Sequence, residues 1–403
     1  MTNSDGLAVI AETRTYGQLF RIRGFGSLFT AQCLIMASSS ISSLALGNIV
    51  YSSTSSTVLT ALSMFGGPLI SLVVSSLFLS MSDFLRPRTG LVLTGVALLV
   101  ADVLQVNPGL PWGARFAFLS IPWAMSAATA GSKWLMLGSL VDQDAYLLGR
   151  STLNIAVGVM QVVGFATGGV LLNFLDPVRL FIVAAGVDLV LVLLTRFGLP
   201  SPGAKRTAGG TVEKTRRTNV ALLKSPVVAP LYLSLWLPNG IIVGCESLFV
   251  PFAGAVRSGW LFSIAAAGMM IGDVAVGRYI GRNRRDRLIR PLRLLLAAPY
   301  VFFVFNAPFG VAVVLALVAS IGYAASLPLQ DRLIAATDPS IRGQVLGLHS
   351  TGLAVSQAIG AALAGTIATF ISPGRAIGVV AVVSMMTTLA LSRGLRKSDR
   401  LVA

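Results

Sequence analysis

Two apolar lengths of nearly equal size flank one polar stretch, and this division constrains the chain more than any motif in it. The stretch runs from Pro200-Ser201-Pro202 to Lys224-Ser225-Pro226. It carries Lys205, Arg206, Lys214, Arg216, Arg217 and Lys224 against one acid, Glu213. Each flank has room for about six membrane spans of about 20 residues. The sequence therefore predicts an all-α polytopic membrane protein of about twelve transmembrane helices in two pseudo-symmetric six-helix bundles. The expected parts are a cytoplasmic segment 1–24, a first bundle 25–197, a basic cytoplasmic linker 198–225, a second bundle 226–393 and a cytoplasmic tail 394–403.

Composition excludes the alternatives. Hydrophobic residues make up 55% of the chain and charged residues 11%, with a mean hydropathy of +0.81, where a soluble domain carries about 25% charge. Lipid cannot hydrogen-bond an exposed backbone, so each span must satisfy its own polar groups. A β-barrel would show alternating segments of about ten residues, and runs such as 69–81 and 311–325 do not alternate. The net charge of +16 falls in short clusters between apolar runs, a topology signal and not a nucleic-acid surface. Cys33 and Cys245 lie inside apolar runs as packing residues. With a single histidine, His349, no His-based metal site is expected. Residues 1–24 are polar with Arg14, Arg21 and Arg23, and the apolar run that follows is too long for a signal-peptide core.

Lysine and arginine assign the sides. Arg14, Arg21, Arg23, Arg86, Arg88, Arg150, the linker set, the 282–287 cluster, Arg342, Arg393, Arg396, Lys397 and Arg400 fall on one side. The opposite loops hold only Arg115, Arg179, Arg257 and Arg375. Both termini are accordingly expected in the cytoplasm. An internal repeat links the halves: Gln161, Gly164 and Gly169 recur as Gln357, Gly360 and Gly365 at one constant offset. Small residues of this kind let helix backbones approach in lipid.

This layout resembles the major facilitator superfamily, and within it the chain is similar to drug:proton antiporters of the macrolide-efflux branch. The residues behind the resemblance are Ser82-Asp83 with Arg86 and Arg88, Leu140-Val141-Asp142 to Gly149-Arg150, Gly244-Cys245-Glu246 to Pro251, Gly272-Asp273 to Gly277-Arg278, and Arg342-Gly343 to Gly347. The chain departs from the pattern at Leu79, where glycine is usual, and at Phe165, where proline is usual. The resemblance implies two halves that rock about a central site. It also implies that the first, fourth, seventh and tenth spans line the cavity.

On that frame, Glu246 is the candidate proton-coupling and substrate-side carboxylate, because an acid at such depth is costly unless paired, protonated or wetted. Asp273 is a second proton-coupling candidate, or a charge clamp with Arg278. Lys133 is either a cavity cation offsetting Glu246 or a side chain reaching for the cytoplasmic face. Gln32, Ser126, Asn239 and Gln330 would supply neutral hydrogen bonds. Trp123, Trp134, Trp236, Tyr323, Met269 and Met270 would form an adaptable apolar pocket. Trp260 reads as an interfacial residue. Asp102 and Arg115 are expected to pair, and Asp188 to pack with serine or backbone partners. Asp83, Arg86, Arg88, Arg150, Arg282 and Arg342 form the expected cytoplasmic gate.

These expectations add up to a proton-driven exporter of lipophilic, even cationic, drugs or metabolites in a bacterial inner membrane. It would act as a monomer with lipid, protons and a small-molecule substrate as partners, no nucleic acid, and no cofactor but the proton gradient. An importer or dedicated metabolite carrier is the alternative within transport. A membrane-embedded enzyme or a non-transporting sensor is more remote: the chain has no G-x-x-x-x-G-K-[ST], H-E-x-x-H or G-x-S-x-G motif.

Overall fold

The computed structural model describes residues 16–77, 85–129, 131–201, 212–338 and 341–402. Among these, all regular structure is helical. In the first half the helices are α1 (Tyr16–Arg21), α2 (Phe25–Thr54), α3 (Thr57–Phe65), α4 (Gly67–Leu77), α5 (Pro87–Gln105), α6 (Trp112–Ala128), α7 (Ser132–Leu140), α8 (Gln143–Leu171) and α9 (Pro177–Leu193). The second half holds α10 (Val212–Lys224), α11 (Val228–Ser247), α12 (Phe249–Ala253), α13 (Ala255–Val274), α14 (Arg282–Val301), α15 (Phe309–Ile321), α16 (Ser326–Ala335), α17 (Arg342–Phe370) and α18 (Pro373–Val402). Local chemistry starts several of them. Ser56 accepts from the Leu59 amide at the start of α3, and Asp176 accepts from the Arg179 amide at the start of α9, with Pro177 in its first turn.

Nine helical stretches among the described residues are long and apolar enough to cross a membrane. The predicted second, fourth and fifth spans are helical too, but in other forms. The second breaks at Gly66 between α3 and α4, where the Gly66-Gly67-Pro68 kink was expected; the fourth is shared by α6 and α7; the fifth is α8, with a shorter apolar part. Several predicted loops are helix instead: α8 starts at Gln143, α14 at Arg282 and α17 at Arg342, and α18 runs to Val402. Hydropathy marks where lipid ends, not where the helix ends, and Arg, Lys and Gln are good helix formers beyond the apolar core.

Packing repeats from half to half. In the first, α2 lies on α8 and α9, α5 on α9, and α4 on α6; in the second, α11 lies on α17 and α18, α14 on α18, and α13 on α15. The halves meet through α8 against α13 and α3 against α17. The repeat glycines explain these contacts. A Cβ on Gly169 would stand 2.8 Å from the Gly259 Cα, and one on Gly365 would stand 2.8 Å from the Val58 Cα. Only hydrogen fits at such spacing, so the backbones touch. Thr57 Oγ1 donates to the Gly365 carbonyl at 2.6 Å. Phe165, the departure from the usual proline, stacks on Phe262 with centroids 4.6 Å apart. Together these contacts seal one end of the junction.

The most exposed large apolar side chains sit at helix ends: Phe174, Phe197, Tyr279, Phe305 and Phe370 are each 76% exposed or more. Aromatic residues collect at membrane–water interfaces. Trp260, 44% exposed near the start of α13, fits the same belt.

If the glycine contacts hold the seal, Gly169→Leu must open it. In a chain lacking the native cysteines, a cysteine at buried Ala368 is expected to react with a bulky maleimide at least about tenfold faster once Gly169→Leu is added. An unchanged rate would show that the seal does not depend on that contact.

Candidate functional site: a cavity between the halves

Beyond the seal, the halves separate around a cavity of about 440 Å³ lined by α3 and α4, α6 and α17. Its wall is mainly apolar, and its polar groups are the hydroxyls of Ser71, Ser126, Ser350 and Thr351. Pocket sites of this kind combine an apolar body with a few placed hydrogen-bonding groups. The break at Gly66 shapes it. A Cβ on Gly67 would meet the Trp123 ring at 2.8 Å, so glycine lets that indole lie flat against α4. Ser71 Oγ donates to the Trp123 carbonyl at 3.2 Å and fixes α4 on α6.

Of the substrate-side candidates, Trp123 and Ser126 line this cavity. The others lie elsewhere. Glu246 is buried in the core of the second half beside Cys245, Phe249 and Tyr300; its Oε1 has no hydrogen-bond partner. It lies within electrostatic range of the Tyr300 and Tyr323 hydroxyls. Tyr323 sits in a short 3₁₀ turn between α15 and α16. The break falls there because Gly322 packs so closely on α14 that a Cβ would stand 2.4 Å from the Leu296 amide. Asp273 is half-buried near Tyr323, its Oδ1 unpartnered. It does not form the expected clamp with Arg278, because that arginine lies in the wider turn that ends the helix.

Lys133 does not offset Glu246. Its Nζ lies 4.4 Å from the Trp134 ring centroid, and the Arg150 guanidinium lies 4.8 Å from the same ring. One indole thus takes two cations, which also removes Trp134 from the expected pocket. Trp236 is a structural tie: its Nε1 donates to the His349 carbonyl at 3.0 Å, and Ser356 Oγ donates to the Trp236 carbonyl at 2.9 Å. Asn239 Nδ2 is spent on the Leu235 carbonyl one turn back, at 2.8 Å. Gln32 is buried on α2, Gln330 and Met269 are half-buried, and Met270 is 45% exposed on the outer surface. The signal for the missed lining was the hydroxyl pair Ser350-Thr351 in an apolar helix, facing Gly67.

Among the gate residues, Asp83 lies outside the described residues. Arg86 precedes α5 and is exposed, Arg88 donates from Nη2 to the Arg196 carbonyl, Arg282 opens α14, and Arg342 opens α17 and is exposed. Arg285, not singled out in the sequence, closes the turn after α13 by donating from Nε to the Ile280 carbonyl at 2.7 Å. Arg332 pairs with Asp286 at 3.0 Å.

The expected Asp102–Arg115 pair does not form. Arg115 is 1% exposed and donates to the carbonyls of Gln105 (2.6 Å), Asn107 (2.7 Å), Leu110 (3.2 Å) and Pro108 (3.3 Å). The turn from α5 to α6 leaves those carbonyls without helical partners, and a five-donor fork satisfies them. Asp102 instead accepts from Ser42 Oγ at 2.8 Å and Ser38 Oγ at 3.4 Å.

The comparisons agree with this geometry. The Major Facilitator Superfamily profile matches residues 253–401. The enterobactin exporter EntS of Escherichia coli O1:K1 / APEC is 26% identical over 275 residues, 65% of this chain and 62% of that protein. The exporter of the same name from Citrobacter koseri is 25% identical over the same length. The match thus spans 62% of the length of these relatives. A POT family transporter solved in complex with 5-aminolevulinic acid superposes with TM-score 0.72 at 12% identity, covering 93% of this chain and 96% of that one. The nucleoside transporter NupG superposes with TM-score 0.69 at 14% identity, covering 92% and 98%. The profile and the superposed folds support the Major Facilitator Superfamily, a family of transporters, as what this chain is similar to. The relatives named here are exporters of enterobactin, so the matches do not single out the macrolide-efflux branch.

Arg115→Lys keeps the charge but cannot span four carbonyls. It is expected to cost about 2 kcal/mol, and Arg115→Leu about 2–4 kcal/mol, since buried acceptors are left unpaired. Thermal unfolding in detergent checks the order; a fully stable Arg115→Lys would contradict it.

Proposed function

We propose that the chain is a secondary exporter of a lipophilic small molecule, drug or metabolite, working by alternating access in a bacterial inner membrane. The observation that carries this reading is the cavity itself. It lies between the halves, closed off at one end by glycine contacts, with an apolar wall, four hydroxyls and, among the described residues, no charged side chain in its lining. A neutral or delocalised solute fits such a wall better than a sugar, which needs denser hydrogen bonding. The similarity to enterobactin exporters supports outward movement of a metabolite.

In this reading about twelve spans form two sixfold bundles, both termini are cytoplasmic and the sealed end faces outward. The cavity is then the inward-facing state. Proton coupling falls to Glu246, with Asp273 second. An acid without a hydrogen-bond partner in an apolar core keeps its proton there and must be wetted to release it. Because Glu246 lies behind the cavity wall, it acts on the packing of α11 against α14 and Tyr323, not on cargo. Arg86, Arg88, Arg150, Arg282 and Arg342, with Asp83, would hold the cytoplasmic end.

Two substitutions separate cargo from coupling in proteoliposomes with an imposed pH gradient. Gly67→Leu displaces Trp123 into the cavity and is expected to lower both ligand binding and export at least about tenfold. Glu246→Gln is expected to leave binding intact and abolish the uphill component. Uphill export by Glu246→Gln would remove that residue from coupling, and normal export by Gly67→Leu would move the cargo site elsewhere.

A further inference from the structure

The first half holds a second ionisable site that the cavity does not use. Asp102 on α5 and Asp188 on α9 are both fully buried, and their carboxyl groups come within direct interaction range of each other beside Ser38 and Ser42 of α2. The serines lie at the middle of the 30-residue α2, so the group sits near the middle of the membrane. Asp102 Oδ2 takes both hydroxyl donors. Asp102 Oδ1 and both oxygens of Asp188 have no partner.

No cation among the described residues pairs with them. Arg88, on α5 itself, is spent on the Arg196 carbonyl, and Arg115 of α6 on the carbonyls of its turn. Arg179 of α9 is paired with Asp176, while Arg150 of α8 and Lys133 of α7 lie on Trp134. The other titratable groups of α2, Cys33 and Tyr51, lie more than a turn beyond the serines. Two adjacent carboxylates cannot both stay ionised in such surroundings.

The second half shows that the fold does not need these acids. The offset that relates Gln161 to Gln357 also relates Asp188 to Ser384, Ser42 to Pro238 and Asp102 to Ala298. The equivalent junction forms there too: Ser384 Oγ donates to the Pro238 carbonyl at 3.3 Å. The same three-helix contact is thus made with neutral groups.

We propose that Asp102 and Asp188 form a proton-binding carboxyl pair that shares one proton at the α2–α5–α9 junction. The site has acceptors and lacks a donor, and one proton supplies the missing hydrogen bond while removing one of two like charges. A hard metal cation is a poorer fit: it takes about six or more oxygen ligands, a number reached here only if every carboxylate oxygen and both hydroxyls bind it, and both hydroxyls already turn to Asp102 Oδ2. This proposal stands apart from any cargo: it concerns occupancy of the first half alone.

The test uses the full chain in lipid nanodiscs, with Glu246→Gln and Asp273→Asn as background. At neutral pH the infrared spectrum is expected to show the carbonyl stretch of a protonated carboxylic acid, lost in Asp188→Asn because the new amide donates to Asp102. Raising the pH from about 6 to 9 strips the shared proton and leaves two facing charges. The melting temperature of the background chain should therefore fall across that range, and Asp188→Asn should at least halve the slope. Asp188→Ser, copying Ser384, serves as a second variant should the first fail to fold. An unchanged carbonyl band, an unchanged slope, or stabilisation by sodium at constant ionic strength would each overturn the proposal.

Discussion

Lipid supplies neither hydrogen bonds to the backbone nor a hydrophobic force between helices, and the structure answers both deficits in specific places. Helices satisfy their own backbone. Their association then rests on surfaces that approach closely enough for van der Waals contact. Gly169 on Gly259, Gly365 on Val58, Gly360 on the Gly240 carbonyl and Gly272 on the Ile321 carbonyl are four approaches of this kind. Two of them join the halves and two lie within the second half. The positions of the glycines therefore decide where the halves are held and where they are free to part. The cavity lies where the glycine contacts stop and Gly67 makes room for an indole instead.

The same solvent makes every buried polar group a structural decision. Arg115 has only carbonyl and amide oxygens for partners and works as a cap for a turn. Trp236 and Ser356 tie α11 to α17 through backbone carbonyls. Lys133 and Arg150 share one aromatic face. Among the described residues, what remains after these pairings includes buried acids with at least one unpartnered oxygen: Glu246 and Asp273 in one half, Asp102 and Asp188 in the other. They divide evenly between the two halves, so the two proposed proton sites would lie one in each half.

Much of the architecture was legible in the sequence because it follows from period and composition. The apolar lengths, the break at Gly66-Gly67-Pro68 and the repeat of Gln161, Gly164 and Gly169 in the second half all reappear as spans, a kink and contacts. Helix ends were not legible, because charge marks the lipid boundary while the helix runs on through Arg282 and Arg342. The site was read less well. Trp123 and Ser126 do line the cavity, on a helix expected to face it. Trp236, Asn239 and Lys133 share that expectation but turn to a neighbouring helix, to their own helix and to an aromatic ring, which a one-dimensional pattern cannot show. Asp102 was given to Arg115 because opposite charges near two span ends suggest a pair; its true neighbours lie on α2 and α9.

The central claim is that the two halves pivot, so that opening at the cavity end and closure at the glycine seal are one motion. Spin labels at Asn173 and Arg257, both exposed at the sealed end, and at Leu72 and Ser350 across the cavity would read both ends. Pulsed electron-resonance distances should be taken in nanodiscs at acid and alkaline pH. The account predicts that one distance lengthens as the other shortens between the two conditions. Distances that stay fixed, or that lengthen together, would contradict it.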